Sequence, residues 1–169
     1  MSALHIGDML RQRFDDASLS ASACAHTRTP LRRASALTEL LIVGAAACLD
    51  GMPDAPTVVL WGSRTGMHAA TIRVITDVVI AREAPLPYDF LATQPILAAI
   101  PLRQNFPCVE NVLYQPWSDD VELHWLRMRM LAAAWLRGGR CTRTLCGQVE
   151  SDGGAHCGQW QILELRTPG

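Results

Sequence analysis

The sequence predicts an α/β protein in which a mixed sheet packs against long helices. Apolar segments rich in β-branched residues, typical of strands, alternate along the chain with longer segments of helical periodicity. The 169 residues are the length of one domain, and 49% of them are hydrophobic while 18% are charged. This composition is typical of a globular chain that buries a core, and it argues against disorder.

The first thirty residues carry the weakest pattern. Residues 1–30 are expected to be a weakly ordered extension with a short helix at Leu4–Phe14. The stretch Asp16–Pro30 is rich in Ala, Ser and Thr, which is typical of a connector. Residues 31–169 are then expected to form one domain.

A helix and a strand open that domain. Ser35, followed by Glu39 near the spacing of a capping box, predicts the start of an apolar helix that runs to about Leu49. The continuous apolar run Thr57–Trp61 predicts a strand covered on both faces. Gly62–Gly66 follows as a tight loop.

The remaining elements alternate in type. Their predicted bounds are Met67–Arg82 and Pro95–Asn105 for helices, Val112–Gln115 for a strand, Asp119–Arg137 for a long helix, and Cys141–Glu150 and Gly158–Arg166 for strands. The long helix carries a broad apolar band and should be mostly buried. Ser151–Gly154 predicts a turn that joins the last two strands as an antiparallel hairpin.

Composition excludes several classes of function. All fifteen basic residues are arginine, so neither a Schiff-base lysine nor a phosphate-binding lysine exists, and a net charge of −1 gives no electrostatic case for nucleic acid or an anionic membrane. The most apolar stretch, Leu40–Leu49, is about half the length of a membrane span. The start of the chain does not resemble a signal peptide, and six scattered cysteines suit a reducing cytoplasm.

The junction between Val112–Gln115 and the long helix resembles an active-site elbow. A strand that feeds a helix N-terminus is a common place for a nucleophile, because free amides and the helix dipole stabilise negative charge there. Here the junction reads Pro116-Trp117-Ser118, without a cysteine. Ser118 is a weak candidate nucleophile, and an ordinary helix cap is the favoured interpretation.

Trp117 allows two interpretations that the residues alone do not separate. Its indole is either a core side chain or a filler of the space that an acyl chain or a pantetheine arm would need. His124 is expected to be packed or at the rim rather than a general base. The Gly62–Gly66 loop is expected to be an ordinary turn, with an anion cradle as the less favoured alternative.

Four residues invite a zinc-site hypothesis: Cys141, Cys146, His156 and Cys157. The spacing is not the paired Cys-x-x-Cys form, and on a strand positions 141 and 146 would face opposite sides. We therefore predict neither a metal nor another cofactor.

The motif Val58–Gly66 resembles the strand and Ser-Arg-x-Gly loop of the β-ketoacyl synthase-like N-terminal domain, in the thiolase-like superfamily. Arg32–Ser35, Pro87–Phe90 and Gly138–Arg140 resemble further family segments in the expected order. The resemblance covers about residues 30–150. It implies a thiolase-like half-domain at residues 31–169.

The departures from that family bear on activity. The family's nucleophilic cysteine should fall between Gln115 and Ser118, where none is present, and Cys108 precedes the strand. The segment Ala92–Ala99 lacks the family's His-Asn pair. A thiolase-like catalyst also needs a second half that supplies the activating histidines. The resemblance therefore implies that the chain alone does not catalyse condensation.

Two function classes follow from the resemblance. The first is a non-catalytic accessory or partner subunit in fatty-acid, polyketide or aryl-polyene biosynthesis, and the second is an acyl-transfer or condensing enzyme completed by a separate chain. The first implies a homodimer, or a heterodimer with a ketosynthase, and an acyl carrier protein as a further candidate partner. The candidate partner or ligand surface is Val112, Leu113, Tyr114 and Trp117.

Overall fold

A computed structural model describes most of the chain. The described residues are 3–28, 31, 34–84, 87, 89, 93–117 and 120–166. Several positions named above lie outside the described residues, among them Arg32, Arg33, Tyr88, Phe90, Ala92, Ser118 and Asp119.

Within the described residues, six strands form one mixed sheet. They are β1 (Ala3–Ile6), β2 (Leu10–Asp15), β3 (Thr57–Gly62), β4 (Val109–Tyr114), β5 (Arg143–Asp152) and β6 (Ala155–Arg166). The order is β1-β6-β5-β3-β4, and β2 also pairs with β6. Strands β4, β3 and β5 are parallel, whereas β6 is antiparallel to β5. The predicted mixed sheet and its terminal hairpin are confirmed, and β4 lies at the sheet edge.

Two faces of this sheet are covered by helices. The α-helices that the structure bounds are α1 (Asp16–Ala25), α2 (Ala36–Leu49), α3 (His68–Ile75), α4 (Ala99–Asn105) and α5 (Val121–Arg137), of which α3 buries no side chain. On the first face, α1, α2 and α4 enclose a core with Val59, Trp61 and Leu145. On the second face, α5 packs against Val58 and Leu60. Alternate residues of β3 thus face two cores, which explains why the whole strand is buried.

The helix predicted near the start of the chain is wrong. Leu4–Phe14 is not a helix, because β1 and β2 pair with β6. In β2, Leu10 and Phe14 pack on the first core, an alternation that the helical interpretation missed. The predicted connector contains α1, which begins at a capping box between Asp15 and Ser18.

Helix caps explain where the two long helices begin. Ser35 accepts a hydrogen bond from the Thr38 amide at the start of α2, and Asp120 accepts one from the Leu123 amide at the start of α5. The prediction that α5 is mostly buried is wrong for part of its surface. Leu126 and Met130 are exposed because α5 covers the sheet with one face only.

A tryptophan joins α2 to the sheet. Trp160 on β6 is fully buried, and a Cβ added at Gly44 of α2 would lie 1.9 Å from its ring. A Cβ at Gly147 would lie 2.1 Å from the same ring, and one at Gly158 2.6 Å from the indole nitrogen. Three glycines therefore form a slot in which the indole lies between helix and sheet.

Among the described residues, no helix combines the length and the apolar character needed to cross a bilayer.

We predict that Gly44→Ala destabilises the fold, although the same change in an exposed helix would stabilise it. The new methyl group would overlap Trp160, and overpacking of this kind costs about 1–3 kcal/mol. Denaturant unfolding followed by circular dichroism measures the change. In a Trp160→Phe background the smaller ring should reduce the cost of Gly44→Ala. An equal cost in both backgrounds would show that the slot is not the cause.

Candidate functional site

The elbow begins where β4 ends. The Gln115 amide continues the ladder by donating to the Trp61 carbonyl at 2.7 Å, and Pro116 and Trp117 follow before α5. Ser118 lies outside the described residues, so its role stays a prediction. Cys108 precedes β4 and therefore lies at the opposite end of the strand from the elbow. Partial burial raises the pKa of its thiol, with a further contribution from Asp54.

An aromatic stack lies at the elbow. The rings of Trp117 and His124 are stacked, with centroids 4.1 Å apart and planes 27° apart. His124 is fully buried, which confirms that it is a packed residue. Among the described residues, neither of its ring nitrogens has a hydrogen-bond partner, and the buried Trp117 Nε1 has none either.

The environment of His124 disfavours the charged form of its ring. Burial lowers the pKa of His124, while the Glu150 carboxylate acts in the opposite direction. Gly62 permits the close approach of the ring, because a Cβ there would lie 2.6 Å from His124 Nε2. The arrangement fits an imidazole held by packing rather than one placed to exchange protons.

The Gly62–Gly66 loop does cradle an anion, and the anion is the protein's own Glu150. The Glu150 carboxylate, which is 9% exposed, accepts hydrogen bonds from the Arg64 amide at 2.8 Å and the Thr65 amide at 3.3 Å. The hydroxyl groups of Ser63 and Thr65 donate to it at 3.1 and 3.2 Å. An external anion would have to displace this side chain.

Sequence reasoning missed Glu150. The available signal was a carboxylate at the end of the strand Cys141–Glu150, in which Arg143 is the only other charged residue. Such a residue usually needs a hydrogen-bonded partner when its neighbours are buried. The partner loop is 85–87 residues away in sequence, so spacing alone could not identify it.

Tyr114 connects this loop to the edge strand. Its hydroxyl donates to the Ser63 carbonyl at 3.3 Å, and its ring meets Trp61 edge-on at a centroid distance of 4.8 Å. Burial, and secondarily the Glu150 charge, raises the pKa of Tyr114. The hydroxyl therefore stays protonated and remains a donor.

The candidate surface on β4 is partly available at the edge of the sheet. Val112 is buried, whereas Leu113 and Tyr114 are half-buried. Leu113 packs against the second core, and Glu110 and Asn111 are exposed. The strand combines apolar side chains with a backbone edge that no described strand pairs, and on this strand the Val112 amide donates to Asn111 Oδ1 at 2.9 Å.

The residues of the zinc hypothesis do not share one site: His156 pairs with Asp16 and Ser151, whereas Cys141 and Cys146 pack in the second core. His156 Nε2 lies 2.7 Å from Asp16 Oδ1, and its Nδ1 lies 2.9 Å from Ser151 Oγ. The argument that Cys141 and Cys146 face opposite sides is wrong, because β5 begins only at residue 143 and both thiols lie in the second core. In the described part of the chain, no group of three His, Cys, Asp or Glu side chains could hold a metal ion.

The comparisons with known proteins support the fold. No family model and no curated protein matches the sequence. The structure is similar to a chain of the "Ketosynthase (ApeO) in Complex with its Chain Length Factor (ApeC) from Xenorhabdus doucetiae", with a TM-score of 0.63 and 14% identity over 97% of this chain and 79% of that chain.

A second similar structure is described as the ishigamide ketosynthase/chain length factor. Its TM-score is 0.56 and its identity 15%, over 83% of this chain and 44% of that chain. At such identities the likeness shows the fold alone. The chain has an α/β fold with a mixed sheet, and the two similar structures are described as ketosynthases with chain length factors.

Proposed function

We propose that this chain is a non-catalytic β-ketoacyl synthase-like protein, an accessory or partner subunit in fatty-acid, polyketide or aryl-polyene biosynthesis. The observation that carries the proposal is the elbow, where the rings of Trp117 and His124 are stacked and the sequence between β4 and α5 contains no cysteine. The structural neighbours, described as ketosynthases with chain length factors, support a role beside a ketosynthase.

The chemistry of the elbow favours a non-catalytic role. A condensing nucleophile needs a thiolate, or a hydroxyl activated by an adjacent base. Cys108 lies at the far end of β4 with a raised thiol pKa. His124 is buried and stacked, and among the described residues no hydroxyl or thiol lies within hydrogen-bond distance of its ring. On this proposal Trp117 fills the space that an acyl chain would need.

The proposed partner surface is the edge strand β4, through Val112, Leu113 and Tyr114. Unpaired strand edges are templates for pairing with another chain, and proteins usually blunt them with charge or proline. Here the strand has Pro116 just past its end and the single charge of Glu110. We propose a homodimer, or a heterodimer with a ketosynthase, and an acyl carrier protein as a further partner.

All six cysteines, each in a described position, are free thiols, which fits the proposed cytoplasmic location.

The second candidate is an acyl-transfer or condensing enzyme completed by a separate chain. It is favoured by one observation, namely that the elbow leads into the N-terminus of a 17-residue helix. The positive end of that helix would stabilise a negative charge on Ser118 or on a recruited cysteine.

We predict that the purified protein forms neither a covalent acyl-enzyme nor a β-keto product with acyl- and malonyl-carrier protein. The physical reason is the elbow without a cysteine. Intact-protein mass spectrometry detects the acyl group, and a complete ketosynthase serves as the positive control. Near-stoichiometric acylation of Ser118 or of any cysteine would contradict the proposal and favour the second candidate.

We also predict that Leu113→Lys shifts the protein from dimer towards monomer, with the dissociation constant rising roughly tenfold or more. The charge would enter the contact between strands, while its aliphatic stem keeps part of the packing that Leu113 makes. Sedimentation velocity measures the shift, and circular dichroism checks the fold. Met130→Lys, at an exposed position of α5, is the matched control. A wild type that is monomeric at micromolar concentration, with no partner recovered from cells, would refute the association.

A further inference from the structure

An apolar arm extends from the domain. The arm comprises α3 and the π-helical turn Thr76–Ile80, and none of its side chains is buried. Five of its apolar side chains are exposed, with Val79 at 68% and Ile80 at 75%; the other three are Ile72, Ile75 and Val78. Five exposed apolar side chains within nine residues are a concentration typical of an interaction site.

The base of the arm is fixed beside the edge strand. The loop that leads into it is held by Glu150 and by the hydroxyl of Tyr114, the last residue of β4. Met67, just before α3, packs against the first core. The arm therefore begins at the carboxyl end of β4, on the first face of the sheet.

A groove lies at the other end of the same strand. It has a volume of about 640 Å³ and is lined by Ile96, Ile100 and Arg103 together with Val109 and Glu110 of β4. Ile96 lies on the 3-10 helical turn Pro95–Ala98, and Ile100 and Arg103 lie on α4. Ala98 of that turn and Leu102 of α4 belong to the first core. The groove is therefore on the first face, like the arm, but at the amino end of β4.

We propose that in a homodimer the arm of each protomer lies in the groove of its partner. This inference rests on the edge association proposed above. A two-fold axis normal to the sheet pairs β4 with its copy in antiparallel fashion. The first faces of both protomers then lie on the same side of the joined sheet. The carboxyl end of each β4 lies beside the amino end of the partner's β4. Each arm base then lies next to the partner's groove.

Length and charge fit this occupant. Eight α-helical and five π-helical residues span about 20 Å, and six residues of β4 also span about 20 Å. The arm carries Arg73 and Asp77, and the groove carries Arg103 and Glu110. Each cation can therefore face a carboxylate of the partner, while apolar side chains of the arm cover Ile96 and Ile100.

The test compares Ile80→Asp in the arm and Ile100→Asp in the groove with Met130→Asp on α5. All three positions are more than half exposed, with values of 75%, 52% and 64%, so none of the changes should unfold the protein. Both the arm and the groove variants should raise the dimer dissociation constant roughly tenfold or more, whereas Met130→Asp should leave it unchanged. Sedimentation equilibrium measures the constants.

A charge pair tests whether arm and groove meet. The double variant Ile80→Asp/Ile100→Lys should dimerise more tightly than either of its single variants, because the new charges attract across the interface. If Leu113→Lys dissociates the dimer while the arm and groove variants behave like Met130→Asp, the arm inference is wrong and the edge association stands. A wild type that binds a ketosynthase but not itself would overturn only the arm inference, and one that binds neither would refute both proposals.

Discussion

The packing of Trp160 between helix and sheet is the constraint on which the first core depends. Burying an indole of roughly 150–250 Å² at about 25 cal/mol/Å² contributes roughly 4–6 kcal/mol. Within the described structure its buried N–H has no partner, which costs about 1–3 kcal/mol, so the apolar term prevails. The indole fits because residues 44, 147 and 158 are glycines, and a Cβ atom at any of these positions would overlap its ring. Those glycines allow α2 to approach β5 and β6 closely enough for Leu145 and Val149 to join its core.

The buried carboxylate of Glu150 has the equivalent role at the elbow end of the sheet. Removing a carboxylate from water is costly unless its oxygens are well supplied with donors, and here two amides and two hydroxyls supply them. The loop that Glu150 holds also binds Tyr114 through the Ser63 carbonyl. Strand β5, the loop after β3 and the end of β4 therefore form one unit, so that the elbow, the arm base and the edge strand keep fixed relative positions.

The elements with strong local signals were predictable from the sequence. The apolar run of β3, the Ser35 cap of α2 and the glycines of the terminal hairpin, both at positive φ, each specify their structure locally. Strands β1 and β2 were not predictable, because their pairing partner is the last strand of the chain. The hydrogen bonds between the Gly62–Gly66 loop and Glu150 could not be recognised for the same reason, because the two partners are distant in sequence. Apolar residues at 3–4 spacing look the same whether a helix covers its own core or another chain, so the helix after β3 was predictable and its exposure was not.

The distribution of packing at the elbow and at the edge agrees with a partner role. An elbow that binds a substrate keeps open volume before the helix N-terminus and directs polar groups into it. Here the rings of Trp117 and His124 are stacked on each other. Among the described residues the buried imidazole has no hydrogen-bond partner that would orient it for proton transfer. Most of the exposed large apolar side chains lie instead on the arm, beside the groove and on α5, and half-buried ones lie along β4. A partner that buried these exposed apolar side chains would therefore stabilise the complex through the hydrophobic effect. Such a surface is expected of a protein that acts by association.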